Sequence, residues 1–267
     1  MPVQLYREKY PPAFRALRLA SRTKIAPDFV RVRLQADDPD ALAGFRAPGA
    51  GDHGRVFVGR ATDEWALSLD SRGEPSGDAR LETVVDHSVN EGWIDLDILV
   101  HRGPDGAASG IIGPWAAQAP LGSSAVMADP KGSVLMRGAP EAWVLAGDDS
   151  AVPAIRRYLR GLAEVAPEAP GVVMLETRYE PEALGLEIPA GVQARILSPG
   201  LTPSGELIAA LRTLDRPLSA PAEVGKSTDV LLFACAEQSI VAAAREVLGR
   251  WRIDPENAVA KGYWKRG

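Results

Sequence analysis

Trp143-Val144-Leu145-Ala146-Gly147-Asp148-Asp149-Ser150-Ala151-Val152-Pro153-Ala154-Ile155 is the stretch on which the fold turns. It opens as a short apolar run, breaks at an acidic turn and continues to Val165 with Ile155, Leu159 and Leu162 at helical spacing. A buried strand followed by an amphipathic helix is the repeating unit of a parallel sheet. The alternation goes on through apolar 171–177 and 192–197, helical 205–214, apolar 229–235, helical 238–251 and a last strand at 258–264. These βαβ units predict an open α/β domain. In such sheets ligands sit beyond the carboxyl ends of the strands, which directs attention to Asp148-Asp149-Ser150 and to Ala236-Glu237. The acidic turn is also a natural helix N-cap, because Asp and Ser accept hydrogen bonds from first-turn N–H groups.

Upstream of Trp143 the period changes. Residues 17–26, 29–36, 55–59, 65–70, 81–87, 93–101 and 123–129 alternate or form short apolar runs, each bounded by Pro, Gly, Asp or Asn. Six to seven short strands with turns between them predict a small antiparallel barrel. One short helix interrupts it, at about 113–119, with Pro114 at the first helical position. The predicted organisation is a β-barrel over 1–135 and an α/β domain over 136–267, with the junction between Gly132 and Pro140.

Composition bounds the function. The 267 residues carry 26 glycines and 22 prolines, about 18% together against an ordinary share of about 12%, so turns are many. A net charge of −5 argues against duplex nucleic acid. A single Cys235 and three histidines exclude an internal disulfide and a Cys/His zinc cage. The opening residues have no basic-then-apolar leader, and no run of about 18 apolar residues occurs, so a cytoplasmic protein without a membrane span is expected. Gly225-Lys226-Ser227-Thr228 lacks the first glycine of a phosphate loop, and its strand follows instead of preceding it. His53 and His87 form no triad with a nucleophile, and Cys235 lies in an apolar run that reads as core.

The ending Gly262-Tyr263-Trp264-Lys265-Arg266-Gly267 resembles the GYWRRG ending of siderophore-interacting proteins, the flavin-dependent ferric-siderophore reductases. Residues 146–155 are similar to that family's AGDETALPAI segment, and Ala236-Glu237 to the Gly-Glu before its last helix. Asp52-His53-Gly54-Arg55-Val56 resembles its D-x-H-V-K stretch. Asp97 to His101, followed by Trp115-Ala116, resembles its DFVLHG…GPAxxWA region. The resemblance implies a flavin-reductase-type barrel holding FAD, a nucleotide-binding-like domain approached by NAD(P)H, and electron transfer to an iron-siderophore chelate. It implies cofactor contacts at Arg80, Thr83, His101, Gly110, Gly113, Trp115, Gly147, Asp149, Ser150 and Trp264. It implies a cationic substrate patch at Arg55, Lys265 and Arg266.

Two positions depart from the pattern. The family's R-x-Y-T-x-R falls on Arg80-Leu81-Glu82-Thr83-Val84-Val85, so the ring-stacking tyrosine is Glu82 and the second, phosphate-facing arginine is Val85. A carboxyl has no stacking face, and valine cannot pair with phosphate. At the phosphate loop, Ile111 and Ile112 stand where the family has small residues. Two readings follow. One is the NAD(P)H- and FAD-dependent reductase. The other is a cofactor-free relative with a vacated flavin cleft, walled by Ile111 to Trp115, that transforms an apolar metabolite such as a polyketide or polyene with Glu82 or Tyr263 as the catalytic polar group. A non-catalytic siderophore or metabolite carrier is a third.

Overall fold

Residues 1–217 and 229–266 are described by the computed structural model, in which the chain divides into two units. One unit is Glu8–Ser133; the other joins Met1–Arg7 to Val134–Gly267. The sequence expectation had placed the first seven residues with the barrel. They group elsewhere because β1 (Gln4–Lys9) pairs outside it and the Val3 N–H donates to Asp229 Oδ1 at 2.7 Å.

The barrel strands are β2 (Phe14–Ala26), β3 (Phe29–Gln35), β4 (His53–Val58), β5 (Ala79–Ser88), β6 (Trp93–Leu99) and, after the helix α1 (Ile112–Gln118), β7 (Ser124–Ala128). They close antiparallel in the order β2-β3-β6-β5-β4-β7. Strand alternation explains the two faces. Leu19, Val32, Leu34, Val56, Val84, Ile94, Leu96 and Ile98 fill the interior. On the outer face, Arg31 stands opposite Asp97 and Arg33 opposite Asp95, each pair bidentate at 2.7–2.9 Å. Opposed charges at directly facing positions reinforce the register.

Two local expectations need correction. Residues 65–70 form no strand: Glu64 and Trp65 both take left-handed backbone, and the Trp65 and Ala66 amides close a turn on Arg60 and Asp63. Pro114 is the third residue of α1, not the first, because the helix starts at Ile112.

The junction itself carries a strand, β8 (Gly132–Arg137), which pairs with β1. Then come β9 (Ala142–Asp148), α2 (Val152–Val165), β10 (Gly171–Glu176), β11 (Gln193–Leu197), α3 (Gly205–Thr213), β12 (Val230–Glu237), α4 (Ile240–Trp251) and β13 (Ala258–Trp264). The five strands β11-β10-β9-β12-β13 are parallel throughout. From β9 the chain steps outward one way to β10 and β11, then returns to β12 on the other side. The topological switch, where open α/β sheets place ligands, therefore lies between the ends of β9 and β12. Gly225-Lys226-Ser227-Thr228 lies outside the described residues.

Candidate functional site

The barrel face expected to hold a cofactor is built on β5. Asp52 anchors it: its carboxylate accepts the Gly49 N–H at 2.8 Å and the Ser133 hydroxyl, while its backbone carbonyl accepts the Val84 N–H at 2.9 Å. The register then sets Thr83 opposite His53, Glu82 opposite Gly54, Leu81 opposite Arg55 and Arg80 opposite Val56. His53 is held by its own loop, with Nδ1 at 2.8 Å from the Gly51 carbonyl. Thr83 is buried, and Arg80 is exposed with its guanidinium donating to the Ala79 carbonyl at 3.0 Å. Glu82 is half-buried. Desolvation pushes its carboxyl up to about 8, with Arg80 opposing the shift. Val85 is buried at the bulge between Val84 and Asp86.

The second part of this face is the loop from His101 to α1. His101 is exposed and its carbonyl accepts the Ser109 N–H at 2.8 Å. Arg102 is committed to Asp28 at 2.6 Å and to the Gly106 carbonyl. Gly110 is exposed at φ +81 with open space around it, so a ligand can approach its backbone closely. Beyond it the cradle narrows. Ile111, Ile112 and Gly113 are buried, no side chain caps α1, and Pro114 removes one first-turn donor. Trp115, expected at the cofactor, is wholly buried in the barrel core, as its apolar indole and position on the inward face of α1 dictate. The same holds for Ile111 and Ile112, which belong to that core and do not wall an open pocket.

Tested against FAD, these residues fit it loosely. Arg80, Thr83, the Gly110 turn and the amides of Ile112 and Gly113 can hold a phosphate-bearing ligand; an aromatic partner for the ring and a second cation are absent from the motif.

At the carboxyl ends of the parallel strands, three carboxylates are buried, each the last residue of its strand. Asp148 caps the turn Asp149–Ala151: Oδ1 accepts the Ser150 N–H at 3.0 Å and the Ser150 hydroxyl at 2.5 Å. Its Oδ2 accepts the Trp264 indole N–H at 2.7 Å. Burial raises its pKa, with these bonds opposing. Glu176 accepts the Ser204 and Leu207 N–H groups at 3.0 and 2.9 Å, securing the start of α3. Glu237 accepts the Ser239 N–H at 2.7 Å and the Arg266 N–H at 3.4 Å; the Ser239 side chain first, and then these N–H groups, hold its carboxyl below the usual range. The bond between Asp148 and Trp264 ties the two most family-like stretches of the chain to each other. Glu176 and Ser204 were not singled out from sequence; the signal was a charged residue closing the apolar run 171–175.

Gly147 is a packing residue: a Cβ there would meet the Ala151 Cβ at 2.5 Å and the Cys235 carbonyl at 3.0 Å. Tyr263 is half-buried, hydrogen-bonded to Cys235 and edge-on to Phe233 at 6.5 Å. Burial drives its hydroxyl well above the usual range and pushes the Cys235 thiol up to about 12, so neither ionises near neutrality. Lys265 and Arg266 are exposed on this unit. Arg55 is exposed on the barrel, its guanidinium 5.1 Å from the Phe57 ring centre. Among the described residues no group of His, Cys, Asp or Glu could hold a metal ion, and no helix is long and apolar enough to cross a membrane.

Comparison with known proteins matches residues 140–267 to the family profile "Siderophore-interacting protein" and residues 18–134 to "Siderophore-interacting FAD-binding domain". The ferric vibriobactin reductase ViuB of Vibrio cholerae is 27% identical over 266 residues, 95% of this chain and 90% of its own. Three uncharacterised mycobacterial proteins are 29% identical over 183 residues, which cover 65% of this chain and 60% of theirs. Among solved structures, a siderophore utilization protein from T. fusca superposes with a TM-score of 0.77 at 24% identity, covering 99% of this chain and 97% of its own. The siderophore-interacting protein SipS of Aeromonas hydrophila gives 0.70 at 20% identity, covering 95% and 98%. The cytochrome b5 reductase domain of Ulva prolifera nitrate reductase gives 0.62 at 12% identity, covering 92% and 96%, which marks the fold as ferredoxin-reductase-like.

Proposed function

Because the chain belongs to the siderophore-interacting protein family, we propose that it reduces the iron of a ferric siderophore with electrons from NAD(P)H, carried by a flavin on the barrel. The observation that supports this most is a closed barrel that carries Arg80 and Thr83 on β5 and an open turn at Gly110, in a chain that aligns along 95% of its length with a ferric reductase. Bound flavin supplies the change from a two-electron donor to one-electron acceptors. One NAD(P)H then reduces two ferric ions and releases one proton. The nicotinamide is read as approaching the β9 and β12 strand ends, near Gly147 to Ser150. There the satisfied carboxylates Asp148 and Glu237 fix the turn and the Trp264 ring, and add no free base. Arg55, Lys265 and Arg266 are read as attracting an anionic chelate.

The cofactor-free reading drew on Ile111 to Trp115 as an apolar wall. Ile111, Ile112 and Trp115 of that stretch lie in the barrel core, so Glu82 is the observation that favours this reading most. An anaerobic assay separates the two. Protein, FAD, NADH or NADPH and a ferric siderophore should yield ferrous iron, trapped by a ferrous-specific chelator, faster than the same mixture without protein. Rates no faster than those of the protein-free mixture, with NADH and with NADPH alike, would defeat the proposal.

A further inference from the structure

A flavin offers two things to grip: a large planar ring and, in FAD, a pyrophosphate carrying negative charge. The face that would receive them is unusually short of both kinds of partner. On β5 Leu81 and Glu82 stand between Arg80 and Thr83, so the polar group there is a carboxyl, and the later position Val85 is buried and uncharged. In the loop before α1 the one arginine, Arg102, is already paired with Asp28. The helix that follows has seven residues, and its third is a proline, which removes one first-turn N–H donor. Arg80 is the cation left on β5, and it shares that face with a carboxyl.

The surroundings of Glu82 give it no other task. Its opposite number on β4 is Gly54, and the space beside Gly54 is filled by Met127 and the Ala128 carbonyl of β7. The charged group acting on it is Arg80, on its own strand, and the Arg80 guanidinium bonds the Ala79 carbonyl instead. Its desolvated carboxyl stays mostly protonated at neutral pH and becomes an anion above about 8. A neutral carboxyl can touch a flavin ring edge through a hydrogen bond. An ionised one repels the phosphates and exposes a charge to an apolar ring.

We infer that flavin is an exchanging partner of this chain and not a resident cofactor, and that Glu82 is the residue that sets its affinity. The inference rests on the flavin-dependent reading above. A missing ring stack and a missing charged phosphate contact are together worth about a hundredfold in affinity.

The test is direct titration of FAD into purified protein, followed by quenching of flavin fluorescence, on wild type, E82Y and E82Q, with thermal melts to verify folding. Wild type should lose its flavin on desalting and rebind it reversibly. E82Y should bind at least about tenfold more tightly at pH 7. E82Q, the same size without the charge, should match wild type at pH 6.5 and bind better than it at pH 9.5. Wild type that keeps stoichiometric FAD through desalting overturns the inference and leaves the reductase reading standing. Folded E82Y and E82Q that bind no better than wild type under any of these conditions overturn the role of Glu82. Folded protein, wild type and variants alike, that takes up no flavin at all overturns the inference and the reductase reading together.

Discussion

The carboxylates at the strand ends of the parallel sheet and the carboxyl on the barrel face are both desolvated, yet they differ in what surrounds them. Asp148, Glu176 and Glu237 each accept backbone N–H groups, and Asp148 also holds the Trp264 indole. Glu82 faces a glycine across the ladder and is opposed by one arginine that bonds elsewhere. A buried carboxylate whose lone pairs are filled by its own fold is a structural part, because removing it strands the donors. A desolvated carboxyl without such donors costs stability, and a ligand is what would use it. The contrast locates specificity on the barrel and architecture at the sheet.

The comparison can be broken most forcefully at Glu176. Glu176→Ala leaves the Ser204 and Leu207 N–H groups buried without acceptors and should cost about 3 kcal/mol in urea unfolding. A loss below about 1 kcal/mol would mean the strand-end carboxylates are not structural. Next comes Gly147→Ala, which drives a methyl into Ala151 and the Cys235 carbonyl and should cost about 2 kcal/mol. If stability held and only nicotinamide affinity fell, Gly147 would be a ligand contact and not a packing residue. Trp264→Phe deletes the indole bond to Asp148 and, for a ring 40% exposed, should cost about 1 kcal/mol.

A pH-dependent effect sharpens the barrel side. With its carboxyl raised from 4.5 to about 8, folded wild type holds an extra proton between those pH values, so its stability falls as pH rises through that window. E82Q cannot ionise and escapes the loss. Its melting temperature should equal that of wild type at pH 4, exceed it increasingly from pH 5 to 8, and hold a constant lead above that. A lead that is the same at pH 4 and pH 9 would show that Glu82 is not desolvated.

Most of the fold was legible because the two hydrophobic periods differ so sharply. The alternation in 29–36 and 93–101 predicts paired barrel strands, and Ile155, Leu159 and Leu162 mark a helix packed on a sheet. What failed was local. Trp65 to Asp70 has the composition of a strand, but left-handed backbone at Glu64 and Trp65 turns the chain away, and side-chain pattern does not encode φ. The strand β1 was missed because 4–9 alternates weakly and pairs with a partner more than 120 residues away in sequence. At the site, Asp148 as a cap was readable from its position before Pro153. The destinations of Ile111, Ile112 and Trp115 were not, since apolar residues beside a glycine suit a pocket wall and a core equally until the inward face of α1 is known. Glu82 was visible only as a departure from a pattern; that a glycine faces it across the ladder needed the register with Gly54.

Whether flavin on this barrel passes electrons from a nicotinamide to chelated iron is measured directly by the oxidised-flavin absorbance of FAD-supplied protein, held anaerobically, first on adding NADH or NADPH and then on adding a ferric siderophore. Bleaching by at least one nicotinamide is expected, with return of the absorbance as iron is reduced, both accelerated by the protein over free FAD. Protein-bound flavin that neither nicotinamide bleaches, or that stays bleached when the ferric chelate arrives, would contradict it.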